Sequence, residues 1–489
     1  MWWQLLQACG GPTIADGTPS ETVSAETGTP TGTTPGQLSP VVSRASEVEA
    51  VLHVTWEAPA GAVSRVEVER ADGTVQTTVD VEGTQPDLAL IGLPAGEQVW
   101  IRAVSDTAEG RLQSARIAAQ VAGAPTDLPH LAVDRSEPGA EARAGWLLAT
   151  VTTDFGARDN RSWIVIWDLE SGEPSWWWTL QPGHVSVTPS LGATPGTIVW
   201  DDYDLGVPAL TATAFRAALD GTRVLTSPLP LGHHAVAEVA PGQLAWCARD
   251  TVPGALANTW ITADRVYVAD ADATEAPTEL VGLRDAVFGG TYAPACEHPA
   301  LPLRYDGHFP VFEWSHLNSL VRVGSDWWLF LRWTDTMVRV DGGTGEVVWR
   351  MGGPDSDFTA PDGSPLWDGA DHSFVSHPHL SDAWESGFVA FDNGDHATPK
   401  VSSLVVFEVD QAARTVRQRL RFPDPRGRYV GILGDARRLP GGHVLGSWSV
   451  LGELDEVTLD GEELWRAHTV PAKAVGRVIY LPELPGWAP

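Results

Sequence analysis

Four places in this chain set histidine at the start of an apolar strand: Gly183-His184-Val185, His233-His234-Ala235, Trp314-Ser315-His316-Leu317-Asn318 and His377-Pro378-His379-Leu380. They recur roughly 50–80 residues apart, a spacing that suits a structural repeat better than a local motif. Two chemistries suit converging imidazoles. As neutral bases they ligate transition metals. As nucleophiles they take up a sulfuryl or phosphoryl group, dividing one hard displacement into two easier ones. Neighbouring imidazoles then serve the leaving oxygen, and a guanidinium stabilises charge on the equatorial oxygens. Metal sites commonly add positioned carboxylates or closely spaced ligands, whereas here only His377 and His379 form a close pair, so no metal and no cofactor are expected. Arg332, set between Leu331 and Trp333 on the strand after His316, is placed to supply the charge for group transfer.

Histidines so far apart meet only if the elements carrying them repeat around an axis. One unit does recur: an apolar strand, a strand ending near Asp, a Gly turn, and a return strand bearing Trp or Leu. It is clearest at Trp327-Trp328-Leu329-Phe330-Leu331-Arg332, Val338-Arg339-Val340-Asp341, Thr344-Gly345-Glu346 and Val347-Val348-Trp349-Arg350. Echoes start at Trp146, Thr197, Gln243, Phe388 and Val444, making six units. The fold class expected is therefore all-β, a six-bladed β-propeller over 124–489 built of four-stranded blades around a channel. Equivalent positions of such a ring share one mouth, so the histidines are expected to share a site. Pro129-His130-Leu131 precedes the first unit, and the last carries Gly434-Asp435-Ala436-Arg437 in place of a histidine.

Ahead of the ring, a small β-sandwich is expected over 38–123. Leu52-His53-Val54-Thr55-Trp56 and Val66-Glu67-Val68-Glu69-Arg70 alternate as strands, with a turn at Ala71-Asp72-Gly73. With Leu93-Pro94-Ala95-Gly96 leading into Val99-Trp100-Ile101, this stretch resembles a fibronectin type III domain, and it is expected to act as a spacer or docking module. Residues 1–37 read differently. Leu6-Gln7-Ala8-Cys9 resembles a bacterial lipobox, with Cys9 as the lipidated residue, and 12–37 is a Thr/Pro/Gly-rich tether. The expectation is an exported lipoprotein of a bacterial cell envelope, touching the membrane through that anchor alone. Cys247 and Cys296 remain as an even pair able to form one disulfide in an oxidising compartment, or as two separate buried thiols. A net charge of −31, with Lys400 and Lys473 the only lysines, repels phosphate backbones, so nucleic-acid binding is not expected.

Several stretches together resemble the bacterial arylsulfate sulfotransferases: Glu313-Trp314-Ser315-His316-Leu317-Asn318-Ser319, Leu331-Arg332, Thr344 to Gly353, His233-His234 with Ala240-Pro241-Gly242, His379 with Phe391-Asp392-Asn393-Gly394, and Arg438-Leu439-Pro440-Gly441-Gly442. They fall in family order over roughly 140–480. The resemblance implies a six-bladed propeller enzyme that moves a sulfuryl group from a phenolic sulfate donor to a phenol acceptor, without a nucleotide, by a ping-pong route through a sulfohistidine. It implies His379 as nucleophile, His234, His316 and Arg332 around the sulfuryl oxygens and leaving phenoxide, and Asn318 as a binding residue. The chain departs from the family where Pro378-His379-Leu380 replaces Gln-His-Asp, which keeps His377 open as an alternative nucleophile, and where Ala235 follows His233-His234 in place of an acid. His233 and His184 stand as further alternates. The competing class is a non-catalytic surface propeller that binds sulfated or other anionic ligands or a protein partner.

Overall fold

The computed structural model describes residues 37–488 except 154–158, 205–210, 254–259, 274, 289–302, 306–307 and 369–372. Cys9 and Cys296 lie outside the described residues. The chain is almost entirely β-strand, and eight sheets divide it into a small sandwich and a ring of six blades.

The sandwich packs a three-stranded sheet (Val41–Arg44, Leu52–Thr55, Asp87–Leu90) against a larger one centred on Val63–Glu69 and Gln98–Thr107. Strict alternation along Val63–Glu69 turns Val66 and Val68 into a core shared with Trp56, Leu90, Val99 and Ile101. The sandwich sits on the outer edge of the ring. His53 Nε2 donates to the Asp220 carbonyl over 2.9 Å, and the Ala95 amide donates to the Pro174 carbonyl over 2.8 Å.

Each blade is a sheet of antiparallel strands, joined in the third by a parallel pairing of Trp260–Asp270 with His308–Glu313, and its innermost strand faces the axis. For the third to the sixth blade these inner strands are Gly232–Ala240, Leu317–Val323, Pro378–Trp384 and Asp435–Arg438, each packed against the next. The second blade breaks its inner strand into His184–Val185 and Ser190–Leu191. The ring closes twice. The C-terminal strand Ala474–Leu481 supplies the inner strand of the first blade, beside Trp146–Thr152. The strand His130–Ser136 adds a fifth, outermost strand to the last blade by pairing with Glu463–Val470. His130 is therefore exposed on the rim, far from the phase at which the other histidines meet the axis.

The repeat unit has a physical basis in two recurring devices. Aspartate at the end of the third strand caps the turn that follows: Asp341 Oδ1 accepts the amides of Gly343 (3.0 Å) and Thr344 (2.7 Å), and Asp168 Oδ1 accepts that of Glu170 (3.1 Å). Aromatic side chains then fill the wedges between blades. Trp200 stacks on Phe215 at 5.3 Å with Trp178 beside it, Phe330 meets Phe388 at 5.8 Å, and Phe391 meets Trp448 at 5.4 Å. Each aromatic so buried removes 150–250 Å² from water, worth about 4–6 kcal/mol at 25 cal/mol/Å². Cys247 lies in this packing as a free, fully buried thiol, so it is not half of the disulfide that the pair with Cys296 had suggested.

Candidate active site

The inner strands of the third, fourth and fifth blades deliver three imidazoles to one place. One nitrogen from each of His234, His316 and His379 lies within 4.8 Å of the others. His234 Nε2 stands 3.0 Å from His316 Nε2, and the rings of His316 and His379 are 6.2 Å apart. The three do not share a strand register. His234 is the third residue of its strand, His316 precedes Leu317–Val323, and His379 is the second residue of Pro378–Trp384. Irregularities in pairing between Leu317 and Ser319, and between His379 and Ser381, re-aim the chain there. His234 and His316 also hold left-handed backbone, φ 61° and 50°, a conformation sustained only where surrounding structure dictates it.

What dictates it at His316 is Asp264, fully buried on the third blade. Its carboxylate accepts from Ser315 Oγ (2.6 Å), the Leu317 amide (2.6 Å) and His233 Nε2 (3.0 Å), which straddle His316. Burial alone raises a carboxyl pKa, yet the bonds from His233 and Ser315 and the charge of Arg249 bring this one below its usual range. Replacing Asp264 with alanine leaves three buried donors without their acceptor. It is expected to cost about 3–5 kcal/mol in urea unfolding, and a loss under 1 kcal/mol would show that Asp264 does not fix the loop.

His379 is held with equal definition. Asn393 Nδ2 donates to the carbonyls of Val430 (2.6 Å) and Leu433 (3.1 Å), so its Oδ1 must face His379 Nδ1 at 3.1 Å. A flipped amide would set oxygen against two carbonyl oxygens. His379 Nδ1 therefore carries the proton, and Nε2, buried and without a hydrogen-bond partner among the described residues, keeps its lone pair. Burial, then the charges of Arg332 and His316, hold the His379 pKa well below its ordinary value; burial and His316 do the same for His234. His234 and His379 are therefore neutral at pH 7.

Arg332 lies one residue past Asp326–Leu331. Its amide bonds the His316 carbonyl, its Nη2 donates to the Gly431 carbonyl at 2.6 Å, and its guanidinium sits 4.7 Å over the Trp333 ring. Asn318 Nδ2 donates to the Pro378 carbonyl over 2.9 Å, tying the fourth blade to the strand that carries His379.

The remaining alternates go elsewhere. His233 turns into the blade interior against Asp264, and burial pulls its pKa down to about 4. His184 bonds Asp202 Oδ1 on the neighbouring strand of its own blade and does not join the trio. His377 belongs to a second cluster with Asp335 and His396, its Nδ1 2.9 Å from Asp395 Oδ2 and its ring against Trp333. Asp264 and the Asp335–His396–Asp395 group were not singled out from sequence. Asn393 was in view as part of Phe391-Asp392-Asn393-Gly394, although nothing local says that its amide faces a histidine.

Three converging nitrogens can hold a transition metal by number. The charge of Arg332, which depresses the pKa of His379, opposes a dication at that nitrogen and favours an anion.

Residues 305–466 match the family model for arylsulfotransferase (ASST). The matched stretch is a third of the chain and contains His316, Asn318, Arg332, His377, His379 and Asn393, while His234 lies outside it. No curated protein matches the chain. Among solved structures, a protein of unknown function from Bacteroides caccae aligns with 70% of this chain and 100% of its own length, at 12% identity and TM-score 0.41. Virginiamycin B lyase from Staphylococcus aureus aligns with 68% of this chain and 88% of its own, at 10% identity and TM-score 0.31. Apo AztD from Citrobacter koseri aligns with 87% and 97%, at 9% identity and TM-score 0.31.

Proposed function

We propose that the propeller is a nucleotide-independent aryl sulfotransferase whose nucleophile is Nε2 of His379. The observation that carries this reading is the fixed tautomer. Asn393 holds the Nδ1 proton, so a neutral imidazole presents its Nε2 lone pair beside a guanidinium and two further imidazoles. In the first half-reaction Nε2 attacks the sulfur of a phenolic sulfate ester. The N–S bond forms, the S–O(aryl) bond breaks, and its electron pair leaves on the phenoxide. Nδ1–H stays on the ring, and Asn393 Oδ1 stabilises the positive charge that develops there. Arg332 stabilises the equatorial sulfuryl oxygens. In the second half-reaction a phenol oxygen attacks the same sulfur and returns the electron pair to Nε2. The phenol's proton passes to the phenoxide released earlier or to solvent, with the His234–His316 pair beside its path.

The match of residues 305–466 to the arylsulfotransferase model supports this chemistry and this substrate class. The proposal extends to setting. Cys9 in its lipobox-like context and the Thr/Pro/Gly-rich stretch after it fit an exported, lipid-anchored envelope protein. In that setting the fibronectin type III-like sandwich serves as a spacer.

The test is incubation with p-nitrophenyl sulfate, with and without a phenol acceptor. Nitrophenol release that depends on the acceptor is expected, with one sulfuryl group on the peptide containing His379 when the acceptor is withheld. Absence of turnover across phenolic acceptors, or an adduct on another residue, would overturn the assignment.

A further inference from the structure

A second cluster of ligating side chains sits where the ring closes, on a different part of the fold from the histidine trio. Glu141 belongs to the 3-10 turn Glu141–Arg143, between the closing strand His130–Ser136 and the first blade. His443 ends the turn that leads into Val444–Ser447, and Glu456 lies on Glu453–Val457, both in the last blade. One ligand atom from each is within 4.8 Å of the others. His443 Nδ1 is 2.7 Å from Glu456 Oε1 and 3.6 Å from Glu141 Oε1.

The charge balance of this cluster is incomplete. Glu456 is fully buried; its two oxygens accept the amides of Glu141 (2.9 Å) and Ala142 (2.8 Å). Glu141 Oε2 accepts the Gly441 amide at 2.8 Å, while its Oε1 is buried and has no hydrogen-bond partner. Among the described residues neither carboxylate pairs with a lysine or arginine, and His443 is their only ionic neighbour. Two carboxylates around one imidazole leave a net negative charge even if that imidazole is protonated. Taking such a charge out of water is costly unless a cation accompanies it. The approach of the chain is also tailored. A Cβ on residue 441 would fall 2.6 Å from Glu141 Oε1, so glycine leaves the room that the carboxylate occupies.

We propose that Glu141, His443 and Glu456 bind a divalent first-row transition-metal ion of the zinc or manganese class. Two carboxylate oxygens and one imidazole nitrogen suit such an ion better than calcium or magnesium, which take oxygen ligands. The ion fastens the run-in of the ring to its last blade, because Glu141 comes from one side of the closure and the other two ligands come from the opposite side. The site is independent of sulfuryl transfer.

The experiment is zinc titration by calorimetry of the full chain after chelator treatment, with thermal unfolding in parallel and magnesium as comparator. The other histidine clusters can take up zinc as well, so the count of equivalents is compared across variants. His443→Gln and Gly441→Ala are each expected to lose one equivalent and the zinc-induced rise in Tm. Gly441→Ala keeps all three ligands and displaces one, which separates loss of the site from loss of a ligand. Unchanged stoichiometry and unchanged zinc stabilisation in both variants would overturn the proposal and leave protonated His443 as the bridge between the two carboxylates. Equal stabilisation by magnesium would overturn the assigned class of ion.

Discussion

His379→Ala is expected to lower kcat for transfer from p-nitrophenyl sulfate to a phenol by about 10⁴-fold or more, the scale of losing a nucleophile from a group-transfer site. Arg332, His234 and His316 remain in that variant and still polarise a bound ester, but no nitrogen is left to form the N–S bond. The variant keeps Asn393 in place through the carbonyls of Val430 and Leu433, so leaving its buried oxygen without a donor should cost about 1–3 kcal/mol and the ring should stay folded. His377→Ala provides the contrast. That imidazole faces Asp395, His396 and Trp333, and its removal is expected to leave most of the rate in place. Turnover and adduct formation that survive in His379→Ala and vanish in His377→Ala would reverse the two assignments.

Arg332→Gln is expected to lower kcat/KM by about 10³-fold, by analogy with guanidinium groups in phosphoryl transfer, where such a charge is worth 10³–10⁵. Arg332→Lys should fall between, since an ammonium keeps the charge and loses the planar fork. A second readout separates electrostatics from packing against Trp333 and Gly431. Arg332 is the strongest charge holding down the pKa of His379, after burial. Removing that charge raises the pKa toward its ordinary value, so His379 becomes protonated at higher pH. The acid limb of the rate profile should move upward in Arg332→Gln and stay put in Arg332→Lys. An unmoved limb in both variants would assign Arg332 a packing role only.

The repeat was open to reading because its signals are local. Runs such as Trp327–Leu331 and Phe388–Phe391 form strands by β-branched and aromatic packing, and Asp341-to-Gly345 turns are capped by an aspartate that bonds the next amides. The same locality placed His234, His316 and His379 at the heads of inner strands. The closures were not legible. Ala474–Leu481 pairs with Trp146–Thr152 across most of the chain, and His130–Ser136 pairs with Glu463–Val470, so the position of His130 just ahead of the first unit does not show that its strand completes the last blade. For Cys247 the sequence left two readings, half of a disulfide or a separate buried thiol, and its place as a free thiol packed among apolar side chains favours the second.

The sequence by itself determined the class of fold, the number of blades, and a set of histidines from which a site would be drawn. It did so because strand, turn and aromatic wedge are each encoded within a few consecutive residues. Only the tertiary structure decided which histidines meet. His184 and His233 lie as close to strand heads as the others, yet Asp202 and Asp264 take them away. His377 and His379 are only two residues apart, but His377 precedes the strand Pro378–Trp384 in left-handed backbone (φ 53°), which breaks the extended phase and sends one ring to Asp395 and the other to Asn393. The partner of each imidazole comes from a different strand or turn, and those contacts exist only once the blades have packed.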